Sequence, residues 1–404
     1  MSRTLLTGAK VCTPDGILDP GWVSIDGSQI GDVGDGDPPR PCNAASEISL
    51  EGRWLLPGMV DIHVHGGGGG SFDSHDPDDV ITAISFHREH GTTEMLASLV
   101  TAPLDHLMRS LGMLCELVDD GELAGVHLEG PFISSVQCGA QDPRYMIAPD
   151  RSIMERLLRA GRGSIRLVTI APELPHSLDL IREIVDAGAI AAIGHTNATY
   201  EEAMVAIDAG ARVATHLFNG MRAGHHRDPG AVLASIVRTE VHCELIVDCV
   251  HVHPAVVAKT IDCVGTDRVV SVTDATAAAG RPDGPLRLGE RDVEVKDGIA
   301  RMSDNGSLAG STLTTSCALR HLVDDIGVDI VDAVTVSSAT PASVLSASVG
   351  SRSVSGRIVV GALADLVVCR DDLDVDAVMR RGRWLTEADS PDTRVGGHRP
   401  GGGG

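Results

Sequence analysis

A chain of 404 residues has room for a barrel of about 250 residues and a smaller domain beside it. Hydrophobic residues make up 43% of it and aromatics only 2%, so a large core is expected, packed from Val, Leu, Ile and Ala. The formal net charge of -23 argues against a nucleic-acid partner, whose phosphates such a surface repels, and leaves room for a small anionic substrate held by a few local cations.

In chain order, residues 1–15 lack a basic segment followed by an apolar run, so no signal peptide is expected. No stretch of about 18 apolar residues suggests a membrane span. The nine cysteines are odd in number and scattered, the pattern of reduced thiols in the cytoplasm. Residues 1–56 hold short extended pieces such as Trp22-Val23-Ser24-Ile25 between Gly, Asp and Pro turns, as small antiparallel strands do. Residues 57–354 alternate apolar runs with helical spacing. The runs begin near Met59, Thr93, Ala124, Arg166, Ile190, Arg212, Glu244 and Arg268, at about the interval of a βα unit. Eight such units predict an α/β fold of the (β/α)8 TIM-barrel type, with an open doubly wound sheet as the competing arrangement. Residues 355–395 return to short strand-like pieces, at Arg357-Ile358-Val359-Val360, Asp365-Leu366-Val367-Val368 and Arg383-Trp384-Leu385. The two chain ends are therefore expected to pair into one small β-sandwich domain. The Gly-rich stretch 396–404 is expected to be a disordered tail.

Polar residues gather where the predicted strands end. They are His63 and His65, Glu129, His195, His216 and Asp274. In a barrel those ends converge on one face. His63 and His65 are two apart on a strand and so point the same way. Imidazole nitrogens and a carboxylate suit zinc and similar divalent ions, and a bound water there becomes hydroxide near neutral pH. Lone histidines such as His106, His176 and His321 read as surface or satisfied core residues. Asp274 can pass a proton from water to a leaving amine, or can cap a helix over residues 275–279. The five glycines at 66–70 open no helix with dinucleotide-binding spacing and read as a flexible loop. Arg227 is either a bidentate phosphate ligand or a solvated surface residue.

The ordered motifs carry a resemblance. The stretch from Pro57 to His65, His127-Leu128-Glu129-Gly130-Pro131-Phe132, Gly194-His195-Thr196-Asn197-Ala198, Thr215-His216-Leu217-Phe218-Asn219-Gly220-Met221 and Val272-Thr273-Asp274-Ala275 together resemble the N-acetylglucosamine-6-phosphate deacetylases of the amidohydrolase superfamily. The similarity runs through nearly the whole chain. It implies hydrolysis of the acetamide of N-acetyl-D-glucosamine 6-phosphate, with Asp274 as general base and then acid. It implies one divalent metal on Glu129, His195 and His216, and a second on His63 and His65 with Glu129 bridging. Zinc is expected, and iron, manganese or cobalt share the ligand chemistry. Other amidohydrolases bridge two metals with a carboxylated lysine, but no lysine lies between Lys10 and Lys259. By position, Ala140, Gln141, Asn219, Gly220, Arg227, Leu308, Ala309 and Gly310 are implied substrate contacts. His251 is implied to reach the phosphate in a neighbouring subunit, which makes the protein a homodimer. Three places depart from the family pattern: Cys249 replaces a glycine, Gln141 replaces a histidine found in some members, and Gln137 and Cys138 stand where basic residues are frequent. Competing functions are a related amidohydrolase on another N-acetyl amino sugar phosphate or a cyclic amide, and a non-catalytic scaffold.

Overall fold

The computed structural model describes residues 3–39, 46–348 and 356–385. The expected division at 354/355 and the tail at 396–404 lie outside the described residues.

The apolar runs of the middle block are β1 (Met59–Val64), β2 (Thr92–Val100), β3 (Gly125–Glu129), β4 (Ile165–Ile170), β5 (Ile190–Ile193), β6 (Val213–Ala214), β7 (His242–Ile246) and β8 (Val269–Val272). Each pairs in parallel with the next, so spatial order follows chain order throughout. A doubly wound sheet would reverse that order at a switch point. Instead β8 returns to β1. The Asp274 amide donates to the His63 carbonyl at 2.8 Å, the His65 amide to the Ala275 carbonyl at 2.7 Å, and the Thr273 hydroxyl to Asp61 at 2.5 Å. The strands are buried on both faces, which is why they read as continuous apolar runs rather than as alternation.

Helices α1 (Pro77–Glu89), α2 (Leu104–Asp119), α3 (Arg151–Ala160), α4 (Ser177–Asp186), α5 (Tyr200–Asp208), α6 (Gly230–Val237) and α7 (Pro254–Val264) follow the first seven strands. Their limits are chemical. Asp76 caps α1 ahead of Pro77, and Thr199 with Glu202 forms a reciprocal capping box on α5. The helical stretch after β8 begins with α8 (Thr315–Arg320) and packs on β1 and β8. Among the described residues no helix is long and apolar enough to cross a membrane.

Between β8 and α8 lies a three-stranded antiparallel sheet, Gly284–Leu288, Arg291–Lys296 and Ile299–Met302, that the sequence reading left inside the barrel block. Its signal is present, since Asp292-Val293-Glu294-Val295 alternates between exposed and buried. It closes over its own core of Val293, Val295, Ala300, Met302 and Ala309.

Both chain ends form one eight-stranded sheet. Trp54–Pro57 is the seam, pairing with Arg3–Thr13 on one side and Leu366–Cys369 on the other. The sheet folds over a core that includes Leu6, Val23, Ile25, Leu55, Leu366 and Met379, and Gln29 bridges Leu363 across the fold. The pieces at Asp365–Val368 and Arg383–Leu385 match Leu366–Cys369 and Arg383–Trp384. The piece expected at 357–360 is instead a turn, with Val360 60% exposed, and the strand Val375–Arg380 was not anticipated. This sheet docks at the opposite end from the active-site mouth. Gly58 donates to the Asp365 carbonyl at 2.8 Å, and Arg380 and Arg381 both reach Glu94 near the start of β2.

The glycine run is not an open loop. Gly66–Gly67 and Gly70–Ser71 form a two-stranded hairpin whose amides bond to the stretch after β8, Gly68 to the Ala279 carbonyl at 2.8 Å and Gly69 to the Ala277 carbonyl at 3.0 Å. A Cβ on Gly70 would lie 2.0 Å from the Asp79 carbonyl oxygen on α1. That contact is backbone and cannot rotate away. Gly70→Ala is therefore expected to destabilise the fold by about 1–3 kcal/mol, read as a lowered midpoint in denaturant. An unchanged midpoint would show that α1 yields freely.

Candidate active site

Five barrel strands deliver the polar residues, each at its C-terminal end. His195, His216 and Asp274 each lie two residues beyond their strand, with φ of 44°, 29° and 48°. This left-handed backbone turns each side chain across the barrel mouth. It costs a non-glycine residue about 1–3 kcal/mol, so the surrounding hydrogen bonds must hold it. They do so at Asp274 through the His63 carbonyl, and at His216 through Glu244, which accepts from the His216 amide at 3.0 Å. The helix cap considered for Asp274 is ruled out, because residues 275–279 form a bridge and turn.

The side chains meet in two groups, His63, His65 and Asp274, and Glu129, His195 and His216, with the donor atoms of each within 4.8 Å of one another. Glu129 stands between them. Its Oε1 lies 3.0 Å from His195 Nε2, 2.9 Å from His216 Nε2 and 3.5 Å from His63 Nε2, and its Oε2 lies 3.3 Å from His65 Nε2. Asp274 Oδ1 is 3.5 Å and 3.2 Å from the same nitrogens of His63 and His65.

The outer nitrogens explain which way the rings point. His63 Nδ1 lies 3.0 Å from Glu244 Oε2, His65 Nδ1 3.1 Å from the Ser98 carbonyl, and His195 Nδ1 2.9 Å from the Gln137 carbonyl. All three acceptors hold the proton on Nδ1 and leave the Nε2 lone pair facing inward. Paired Nε2 atoms then stand 3.2 Å apart, His63 against His65 and His195 against His216. Inward lone pairs beside acceptor-only carboxylates fit a divalent cation. His216 Nδ1 has no partner among the described residues.

The electrostatics agree. Burial pulls the His63 imidazole down, but Asp274, Glu129 and Glu244 together hold it well above its ordinary value. Burial acts likewise on His65, and hydrogen bonds to Asp274 and Glu129 raise it to about 9. Burial pushes the Asp274 carboxyl up, yet His63 and His65 bring it below the usual carboxylate range. The cluster thus attracts positive charge. His127, beneath it, is the contrast: burial and the nearby His63 keep it well below its ordinary value, and it bonds only to hydroxyls, Ser98 Oγ at 3.0 Å and Thr169 Oγ1 at 2.9 Å.

A cavity of about 260 Å³ opens over this floor. Of the expected contacts, Ala140, Gln141, Asn219, Gly220, His251, Leu308 and Gly310 line it. Gln141 also clamps the central carboxylate, donating to Glu129 Oε2 while accepting from the Thr101 amide at 2.7 Å. Three expectations change. Ala309 has no exposed surface, because its side chain belongs to the core of the inserted sheet. Arg227 is exposed and absent from the cavity wall, its guanidinium lying 2.6 Å from His226 Nε2. His251 lines the cavity of its own chain rather than standing out toward a neighbour, because Asp248 pins both its amide, at 2.8 Å, and its Nδ1, at 2.6 Å.

The residue sequence reasoning missed is Glu244, buried in β7 and bonded to both His63 and His216. Its signal was an acid inside the apolar run 242–246. Asp61 was likewise passed over; burial raises its carboxyl to about 6, and it ties β1 to Thr273.

Residues 54–385 match the Amidohydrolase family, and the chain belongs to it. Within that family it is similar to N-acetylglucosamine-6-phosphate deacetylase of Bacillus subtilis (strain 168), 32% identical over 94% of this chain and 96% of the relative. It is also similar to N-acetylgalactosamine-6-phosphate deacetylase of Escherichia coli O157:H7, 32% identical over 82% of this chain and 87% of the relative. A solved structure of N-acetyl-D-glucosamine-6-phosphate deacetylase from Mycobacterium smegmatis, a mutant in complex with N-acetyl-D-glucosamine-6-phosphate, superposes with a TM-score of 0.90 at 42% identity, covering 95% of this chain and 99% of that one.

Glu244→Ala is expected to weaken metal retention by about 10–100-fold, measured by competition with a chelator, because His63 loses the acceptor that fixes its tautomer. Retention equal to that of the parent protein would remove Glu244 from the site.

Proposed function

We propose that the chain hydrolyses the acetamide of N-acetyl-D-glucosamine 6-phosphate to D-glucosamine 6-phosphate and acetate. The observation that carries this reading is the pair of three-donor groups meeting at Glu129 on the floor of one small cavity. Glu129, His195 and His216 would hold one divalent cation, and His63 and His65, with Glu129 shared, a second. Zinc suits this set of imidazoles and carboxylate, with iron, manganese and cobalt as chemical alternatives. Bound there, such an ion supplies Lewis acidity and makes water a nucleophile near neutral pH.

The chain's own groups do the rest. Asp274 is held ionised by His63 and His65, so its carboxylate is ready to accept the proton of the attacking water. Protonated, it donates to the departing amine nitrogen as the C–N bond breaks. Gln141 keeps Glu129 in place through this exchange. Asn219, Gly220 and His251 line the wall and would hold the phosphate and sugar, fixing the acetamide over Asp274. The fit of an enzyme reading over a scaffold rests on the completeness of this set. We place the reaction in the cytoplasm, in keeping with the free thiols of all eight described cysteines.

Asp274→Asn should lower kcat by about 10²–10⁴-fold with metal content and KM little changed, in an acetate-release assay. Substantial residual turnover would sink the assignment. The same assay with the 4-epimer, N-acetyl-D-galactosamine 6-phosphate, with unphosphorylated sugar and with a dihydropyrimidine sorts the competing substrates by kcat/KM.

We also propose a homodimer, now with Arg227 rather than His251 crossing between subunits. Arg227 is exposed and outside its own cavity, which suits a cation that serves the phosphate of a neighbouring copy. Mixed dimers test it. Arg227→Ala subunits, weak at low substrate, should regain activity when re-associated with Asp274→Asn subunits, because one site then has both residues intact. No recovery in dimers shown to have exchanged would keep Arg227 in its own chain.

A further inference from the structure

A third group of metal-ligating atoms lies away from the catalytic floor. The Cys249 thiol, a His321 ring nitrogen and an Asp325 carboxylate oxygen all fall within 4.8 Å of one another. Cys249 sits on the loop after β7, and His321 and Asp325 sit on the helical stretch that follows α8. Three features suggest more than a chance meeting. First, His321 Nδ1 is occupied by the Val247 carbonyl at 2.8 Å, which orients the ring with Nε2 on the side of Asp325, 4.0 Å from its carboxylate. Second, His321–Asp325 is a π-helical turn, closed by the Ile326 amide on the His321 carbonyl at 3.0 Å. Such turns are rare and frequent at functional sites. Third, Cys249 is held at a φ of 60°, a strained backbone for any residue with a side chain. A second thiol, Cys317, stands with its sulfur 3.6 Å from His321 Nε2.

We propose that Cys249, His321 and Asp325 form a second, non-catalytic site for a thiophilic divalent cation of the zinc class. Thiolate, imidazole and carboxylate together select such an ion over magnesium or calcium, which prefer all-oxygen shells. His321 and Cys249 are each partly exposed and Asp325 is exposed, so an ion can enter from solvent. The site would clamp the β7 loop to the helix after α8. That loop also carries Asp248 and His251, so occupancy would steady one wall of the catalytic cavity.

The test uses the holoenzyme with its catalytic site filled with cobalt, titrated with further Co2+. The catalytic ligands are imidazoles and carboxylates, so thiolate-to-cobalt charge-transfer absorption in the near ultraviolet reports sulfur ligation. The expected result is that this absorption appears beyond the catalytic equivalents and is lost in Cys249→Ser and in His321→Ala. Melting curves at the starting metal content confirm that both variants fold, and added Zn2+ should raise the melting temperature of the parent but not of the variants. Binding without the sulfur band overturns the proposal. So does a band that survives Cys249→Ser and disappears in Cys138→Ser, since Cys138 lies beside the catalytic cavity wall at Gly139.

Discussion

The buried carboxylates at the barrel mouth set the terms for the rest of the structure. Glu129, Asp274 and Glu244 lie among histidines at 8% exposure or less. Removing such charges from water costs several kcal/mol per ion unless positive charge and hydrogen bonds compensate. Protons on His63 and His65 can compensate, and so can a divalent cation. The outer-nitrogen contacts at Glu244, Ser98 and Gln137 favour the cation, because they commit Nδ1–H outward and leave lone pairs turned inward. The strained turns at His195, His216 and Asp274 follow from the same requirement, since a straight continuation of each strand would carry the ligand past the centre.

The architecture divides labour between the two ends of the barrel. The sheet made by the chain termini docks near the starts of the strands, through Asp365, Arg380 and Arg381, and has no part in the cavity. The opposite end carries everything chemical. There the glycine hairpin after β1 is packed against α1 and the stretch after β8, and the inserted sheet contributes Leu288 to the cavity wall. A floor of rigid strand ends with walls from longer loops holds the polar cluster fixed while the loops shape the cavity above it.

Much of this was legible beforehand because barrel strands are buried on both faces. Their apolar runs stood out, and so did each polar residue that interrupted or ended one. His63, His65, Glu129, His195, His216 and Asp274 were readable for that reason, and all six meet in the structure. Glu244 obeyed the same rule but was read as the start of a run rather than as an interruption. The inserted sheet was overlooked because its short alternating strands lie between barrel elements, and the 357–360 piece stays irregular, burying Ile358 in the core of the end sheet while Val360 remains exposed.

The sequence by itself determined the order of βα units, the polar residues that end the strands and the absence of any lysine between Lys10 and Lys259. These depend on residue type and local spacing, which are written along the chain. Tertiary structure alone decided where those residues point. It turned His251 into its own cavity, withdrew Ala309 into a small core, and left Arg227 outside the cavity. It also paired Cys249 with His321 and Asp325 across distant segments. The two groups of polar side chains that the sequence could only place at strand ends meet in one cluster because the barrel closes, bringing β8 beside β1 and Glu129 between the histidines.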